Sequence, residues 1–170
     1  MKFYTAEGRE DRINDLILDA LDQNPNDRYA RFALVGGNIN EYSTAMSVGF
    51  AESFEKRNPK ISLAEQKTIY AVKELANNPD VGQFLTVTRP LAEAIFSELD
   101  GDLRKSEENL KKIKMPVKNK STTQTVEDYE YISDTLNELK KRTVYKIYFA
   151  YEDKNDRVSA NRIYQEFLKK

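Results

Sequence analysis

Two aspartates flank a glycine at Asp100, Gly101 and Asp102, a spacing that could begin a calcium-binding loop. Such a loop takes oxygen ligands from positions 1, 3 and 5, with glycine at position 6 and glutamate at position 12. Counted from Asp100, position 5 is Arg104 and position 6 is Lys105. The calcium-loop pattern therefore fails, and these residues predict no metal site.

A second set of carboxylates has the residue types of a metal-dependent phosphodiesterase. Asp80 and segment 138–140 supply an aspartate and a Glu-x-Lys pair, but they lie far apart in the chain, and Glu-x-Lys also occurs by chance at 65–67. The chain has no histidine and no cysteine. A metal site would therefore use carboxylates, carbonyls and water, which favours Mg²⁺, Ca²⁺ or Mn²⁺ over zinc. A carboxylate-metal enzyme is the weakest of three functional hypotheses, and no cofactor or metal is predicted.

Nucleophilic catalysis has one weak candidate, because Ser53 and Lys56 have the S-x-x-K spacing of a serine–lysine dyad. This pair has no companion motif, and the G-x-S-x-G turn that exposes a nucleophilic serine is absent. Without histidine, the usual base that activates a serine is missing as well. The sequence therefore predicts no catalytic residue and favours a protein that is not an enzyme.

Two adjacent glycines, Gly36 and Gly37, precede a helical pattern and raise the question of a phosphate cradle. A phosphate-binding loop would need a following Gly-Lys-Ser/Thr, and a dinucleotide fingerprint would need a third glycine after a strand. Neither pattern is present. We instead predict a turn in which one glycine has positive φ, Asn38 caps the next helix and Glu41 reaches back to the cap.

Charge is unevenly distributed along the chain, although the net charge is −1. Residues 104–120 carry a net charge of +5, whereas 7–27 and 126–138 each carry −5. The basic segment has three interpretations: a solvated helix end, a partner for an acidic region of this or another chain, or a contact for nucleic-acid phosphate. The segment contains no Tyr or Phe for base stacking. The predicted anion-contacting residues are Lys111, Lys112, Lys114, Lys118 and Lys120.

Aromatic residues are concentrated in the last third of a chain that has 10 Tyr, 8 Phe and no Trp. Tyrosine is enriched at protein interfaces because it combines apolar area with a polar tip. The alternative is that these side chains form the edge of an amphipathic core. The predicted interface residues are Tyr129, Tyr131, Tyr145, Tyr148, Tyr151 and Tyr164.

These residues must be positioned mainly by helices, since apolar residues recur at spacings of three and four along most of the chain. We predict one mostly α domain over 1–170, an irregular bundle of about six to eight helices. Segment 115–125 is predicted to be a polar loop or arm within it. A minor β element remains an alternative at 144–151, which is rich in β-branched and aromatic residues, or at 84–88.

Several local signals predict where helices begin and end. Ser62 and Glu65 form a capping-box pattern, and Asp80 is predicted to cap a short helix. Pro90 suits the first turn of the next helix, where its missing N–H costs nothing. Gly101 is expected to break or kink that helix. From Thr125 onwards, apolar residues keep a heptad-like spacing to Ala150.

The composition limits the environment and the partners of the protein. The chain has no apolar run long enough for a membrane span or a classical signal peptide, so we expect a soluble, cytoplasmic protein, or a virion protein if its source is a phage. The near-neutral net charge predicts no global attraction to an anionic membrane.

The leading functional hypothesis is a non-enzymatic structural, adaptor or inhibitory protein that binds another protein, or a second copy of itself, through a Tyr-rich helical surface. Small accessory proteins of phages and mobile elements have this profile. The alternative is a nucleic-acid-associated protein that uses the basic segment 104–120.

Overall fold

The computed structural model describes residues 41–117 and 126–169, together with Leu16, Asp19, Ala20, Gln23, Asn24, Asp27 and Ala30. Seven α-helices lie within these residues: α1 (Glu41–Arg57), α2 (Leu63–Glu74), α3 (Pro79–Gly82), α4 (Leu85–Leu99), α5 (Leu103–Lys111), α6 (Val126–Asp153) and α7 (Arg157–Ile163). A 3-10 turn (Leu75–Asn77) continues α2, and a π-helical turn (Tyr164–Leu168) continues α7. The predicted mostly α bundle is confirmed.

Both alternative β segments are helical, so the suggestion of a minor β element at these positions is wrong. Residues 144–151 lie inside α6, and all but the first residue of 84–88 belong to α4. Burial explains the outcome: Val144, Ile147 and Tyr151 are buried at spacings of three and four, whereas Tyr145 and Phe149 are exposed. A strand would bury alternate residues, so the helical period decides the structure despite the β-prone composition.

The helices α1 and α4 pack closely at the centre of the described core. A side-chain β-carbon added at Gly49 would lie 2.5 Å from the carbonyl oxygen of Thr88, so only glycine fits at this crossing. Beside it, the rings of Phe50 and Phe96 meet edge to face, with their centroids 5.7 Å apart. Both rings are buried. This helix pair therefore forms a dry, close-packed contact.

A network of polar side chains next to these rings also joins α1 to α4. The carboxylate of Glu93 accepts hydrogen bonds from Ser53, from Lys56 Nζ at 3.1 Å and from Arg57 Nη1 at 3.2 Å. Arg57 also donates to Asp100 at 2.8 Å, and its guanidinium lies over the ring of Phe96. Ser53 and Lys56 thus share the carboxylate of Glu93, an arrangement that ties two helices together.

The predicted capping box is confirmed, but the predicted cap at Asp80 is wrong. Ser62 accepts from the backbone N–H of Glu65, and the Glu65 carboxylate accepts in return from the Ser62 N–H at 2.7 Å. Asn78 caps α3 instead of Asp80, with Pro79 at its first position. The asparagine side chain accepts from the Asp80 N–H at 2.9 Å, so Asp80 is the second residue of the helix and lies in its first turn.

Pro90 lies inside α4, not in its first turn as predicted, because the helix already begins at Leu85. A proline within a helix leaves the carbonyl four residues earlier without its usual donor. That carbonyl belongs to Thr86, and it accepts from the backbone N–H of Lys114 at 3.3 Å. The hydroxyl of Thr86 also donates to the Lys114 carbonyl at 2.8 Å. Two hydrogen bonds therefore hold the chain after α5 against the proline-containing turn.

Gly101 ends α4, and the helical pattern resumes only after a tight turn, as the sequence allowed. Its φ is +79°, which favours glycine. The N–H of Gly101 donates to Glu98 and the N–H of Asp102 donates to Ser97, the paired bonds of a Schellman ending. Asp102 then caps α5 by accepting from the Lys105 N–H. The Asp102 side chain thus acts as a helix cap.

Several sequence predictions fall on residues outside those that the structure describes. They include the turn at Gly36 and Gly37, the cap at Asn38, and all of the predicted loop 115–125 after Val117. None of the helices in the described part of the chain combines the length and the apolar composition needed to cross a membrane.

Candidate protein-binding surface

The six tyrosines predicted as one interface do not share one environment. Tyr151 is buried, and Tyr129 packs its ring against Phe84 while its hydroxyl donates to the Pro116 carbonyl. Tyr131 is 58% exposed but lies 14 residues before Tyr145 on the same helix, a rise of about 21 Å. The core-edge interpretation therefore holds for Tyr129 and Tyr151.

The other three tyrosines meet one phenylalanine on the surface of α6 and the following π-helical turn. We name Tyr145, Tyr148, Phe149 and Tyr164 the aromatic cluster. Tyr145 and Phe149 are stacked with centroids 6.2 Å apart, and Tyr148 lies 5.3 Å from Phe149 and 6.3 Å from Tyr164. The exposed fractions of Tyr145, Phe149 and Tyr164 are 41%, 57% and 45%. The cluster is a continuous apolar surface open to solvent.

The helical period of α6 explains why these rings point outward. Ile132, Leu136 and Ile147 are fully or almost fully buried and define the inward face of α6. Tyr145 and Phe149 are one turn apart on the opposite face, so they pack on each other instead of on the core. The predicted interface residues do not include Phe149, although its spacing of four from Tyr145 and its position off the inward face were visible signals.

Charged residues border the aromatic cluster along α6. Lys141 and Arg142 lie one turn before Tyr145, and Glu152 and Asp153 lie one turn after Phe149. All four are exposed. Arg142 forms an ion pair with Glu138 at 3.5 Å, whereas Lys141, Glu152 and Asp153 have no ion pair with any residue that the structure describes. The cluster is thus basic on one side and acidic on the other.

An ion pair between a buried carboxylate and a partly exposed arginine ties α5 to α7 close to Tyr164. Arg162 donates to both oxygens of Glu107 at 2.9 Å, and Lys111 donates to the same carboxylate at 3.0 Å. Burial raises the pKa of the Glu107 carboxyl, but the hydrogen bonds from Arg162 and Lys111 outweigh it and hold this pKa below its ordinary value. The ionised pair therefore fixes α7 two residues before Tyr164.

The Tyr151 phenol lies near this ion pair on the inner side of α6. Burial raises its pKa, and the negative charge of Glu107 raises it further. Tyr151 therefore stays protonated and belongs to the support of the cluster, not to its exposed surface.

The basic segment places one of its predicted contact residues inside an ion-pair network. Lys111 bridges Glu107 and Glu166, each at 3.0 Å. Its hydrogen bonds to Glu107 and then to Glu166 raise the pKa of its ammonium group. Lys111 is therefore engaged by the protein itself.

The other predicted anion contacts are less constrained. Lys112 is exposed, and its ammonium donates to the side chain of Asn109 at 2.9 Å. Lys114 is exposed at the end of the described segment. Lys118 and Lys120 lie outside the described residues. Three exposed lysines thus lie near the end of α5, and of these three only Lys111 is ion-paired within the described residues.

No group of three or more aspartate or glutamate side chains in the described ranges is arranged to hold a metal ion. Asp100 is instead paired with Arg57, and Asp102 with the start of α5.

A second surface feature was not anticipated from the sequence. A shallow groove of about 460 Å³ lies between the end of α1 and α2, and Leu63 and Tyr70 border it. These two side chains are seven residues apart on α2 and both are exposed. The Tyr70 ring and the Leu63 methyl groups do not form a stacked cluster. We therefore rank this groove below the aromatic cluster as a binding surface.

Comparisons with protein-family models, with curated proteins and with solved structures found no match to this chain.

Proposed function

We propose that this chain is a non-enzymatic structural, adaptor or inhibitory protein that binds another protein through the aromatic cluster. The observation that carries the proposal is the solvent-exposed set Tyr145, Phe149 and Tyr164. Tyr145 stacks on Phe149, and Tyr148 lies between Phe149 and Tyr164. Large contiguous apolar patches on a protein surface commonly mark interaction sites.

The composition of the cluster suits a binding surface. Aromatic side chains, and tyrosine in particular, supply large contact areas with few rotatable bonds, and they dominate the binding energy at many interfaces. The charged residues at both ends would form a polar rim around an apolar centre, the usual arrangement of a protein interface. The fixed position of Tyr164, next to the Arg162–Glu107 pair, reduces the ordering cost of binding.

The test removes the exposed rings and measures capture of a partner. We would prepare the full chain with Tyr145→Ala and Phe149→Ala, and compare its partners from source-cell extract with those of the wild type. Loss of two anchor residues is expected to weaken binding of the captured protein at least about 100-fold, as measured with the purified partner.

The matched control is Tyr70→Ala, which removes an aromatic ring of α2 that is 67% exposed, more than Tyr145 or Phe149. It should leave partner binding within about twofold of the wild type. If the cluster variant binds the captured partner as tightly as Tyr70→Ala does, the cluster is not the binding surface and the proposal fails.

The nucleic-acid alternative rests on Lys112 and Lys114, which are exposed at the end of α5. It has less support, because Lys111 is held by two carboxylates. It predicts binding to DNA or RNA at low salt that weakens steeply as salt is added. Lys112→Ala with Lys114→Ala should reduce this binding. A chain that shifts neither nucleic acid at low salt would exclude the alternative.

A further inference from the structure

The exposed face of α6 carries its charges in a fixed order around the aromatic cluster. From the N-terminal side the order is basic at Lys141 and Arg142, aromatic at Tyr145 and Phe149, and acidic at residues 152–153, with the exposed Lys146 beside the rings. The stretch from 141 to 153 rises about 18 Å along the helix. The order is self-complementary: in a second helix that runs in the opposite direction, the acidic end lies beside the basic end of the first helix, and the reverse holds at the other end.

Two copies of α6 placed antiparallel would match this order residue by residue. With a two-fold axis level with Ile147, Tyr145 of one copy lies opposite Phe149 of the other, since each is two residues from the axis. Arg142 then lies opposite Glu152, both five residues from the axis. Lys141 lies opposite Asp153, both six residues away. Each contact occurs twice, as a two-fold interface requires.

We propose that the occupant of the aromatic cluster is a second copy of this chain, bound antiparallel across α6 to form a two-fold dimer. This inference rests on the proposed function and narrows the partner to the protein itself. The rings form the dry centre, and two pairs of opposite charges at each end set the direction.

The charges favour the antiparallel arrangement over a parallel one. A parallel pair would set Lys141 and Arg142 against their own copies, and Glu152 against Glu152, so that like charges would face each other. The existing pair between Arg142 and Glu138 does not oppose dimerisation, since both side chains are more than half exposed and such surface pairs contribute little. Arg142 is therefore available to a partner.

The size of the contact sets the expected strength. About 18 Å of one helix and one neighbouring turn form a small interface, at the lower end of those that support specific complexes. We therefore expect a dissociation constant on the order of tens of micromolar, which added salt weakens because the rim is charged.

The experiment is a charge exchange measured by sedimentation equilibrium on the full chain. One variant carries Lys141→Glu and Arg142→Glu, and the other carries Glu152→Lys and Asp153→Lys. Each variant alone would face like charges at both ends of the dimer, so each should self-associate at least about tenfold more weakly than the wild type. Mixed together, the two variants should form a heterodimer of near wild-type strength.

A chain that combines all four substitutions should dimerise again, because every pair is restored with its signs exchanged. Circular dichroism and thermal unfolding of each variant check that the exposed substitutions leave the fold intact. Recovery in the mixture or in the fourfold variant also demonstrates folding, since only a folded chain can regain the contact.

A wild-type chain that stays monomeric up to about 500 µM would overturn the proposal. Single-sign variants that dimerise like the wild type would overturn it as well, and so would a mixture that shows no recovery. These outcomes leave the proposed function distinguishable. If the wild type is monomeric but Tyr145→Ala with Phe149→Ala abolishes binding of a different protein, the dimer fails and the interaction function stands.

Discussion

The α1–α4 contact and the outer face of α6 use the same residue types with opposite results. Between α1 and α4, Phe50 and Phe96 are buried, and the charge of Glu93 is met by Lys56 and Arg57. On α6 the stacked aromatic rings are exposed, and the acidic residues after them have no ion pair within the described chain. The apolar and charged groups of the first contact are buried or paired within one chain. Those on α6 have the composition of one side of an interface.

This difference separates residues that stabilise the fold from residues that are free to bind. An aromatic pair contributes to folding only if folding removes it from water. A charged residue with a partner in the same chain is less available to another molecule. The outer face of α6 is therefore where substitutions should affect binding more than stability, and the α1–α4 contact is where the reverse should hold.

The largest expected difference in the free energy of unfolding is between two variants that each remove one phenylalanine ring, one in each region. Phe96→Ala removes a fully buried ring and should lower the free energy of unfolding by about 4 kcal/mol. Phe149→Ala removes an exposed ring and should change it by less than about 1 kcal/mol. Urea unfolding followed by circular dichroism measures both. Equal losses would contradict the division between the two regions.

A smaller but still large effect is expected at the crossing of α1 and α4. Gly49→Ala would place a methyl group against the Thr88 backbone, which cannot move without shifting α4. We expect a loss of about 3 kcal/mol, measured by the same unfolding assay. A variant as stable as the wild type would show that the helices can separate at low cost.

Two carboxylates, the buried Glu107 and the partly buried Glu93, should make stability depend on pH in the acid range. Burial opposes ionisation of both groups, yet hydrogen bonds hold both pKa values below the ordinary 4.5. Arg162 and Lys111 donate to Glu107, and the Ser53 hydroxyl, Lys56 and Arg57 donate to Glu93. Because the folded pKa is lowered, their contribution is fully present above about pH 4.5 and is lost as the pH falls through the folded pKa. Melting temperatures should therefore fall steeply below about pH 4.5.

Replacing Glu107 measures how much this residue contributes to the pH dependence of stability. Glu107→Gln should cost about 2 kcal/mol near neutral pH, since Arg162 loses a charged partner. The melting temperature of the variant should then fall less than that of the wild type on acidification. An identical acid profile in both proteins would show that the pair does not contribute.

The smallest effect is expected at the turn between α4 and α5. Gly101→Ala meets no atom within 4 Å, so the only penalty is the positive φ of the backbone. A loss of about 1 kcal/mol is expected. Comparison with Gly49→Ala separates backbone strain from helix-to-helix contact, because a loss at Gly101 as large as that at Gly49 would indicate contacts that the structure does not have.

The predictable features of this protein are those set by neighbours in sequence. Ser62 and Glu65 cap α2 as expected because both partners of each bond lie within four residues. The inward face of α6 followed from the spacing of Ile132, Leu136 and Ile147, and the helical period correctly outweighed the β-prone composition. The local prediction failed at α3, because Asn78 and Pro79 form a more favourable helix start than Asp80.

The features that the sequence did not reveal depend on contacts between distant residues. Nothing near Pro90 indicated that Lys114 would supply the missing donor, so the proline was assigned to a helix start. The aromatic surface was only partly predicted. Tyrosine content alone did not separate Tyr129 and Tyr151, which contact the core, from Tyr145, and it left out Phe149.

Pro90 has a consequence for how the chain finds its connections. In polymer terms, the proline determines where a loop closes. It leaves the Thr86 carbonyl on α4 without a helical donor, and Lys114, 28 residues after Thr86, donates to that carbonyl. Pro90→Ala would give α4 a competing donor from its own backbone. A residue that usually interrupts a helix here specifies the point at which a distant segment attaches.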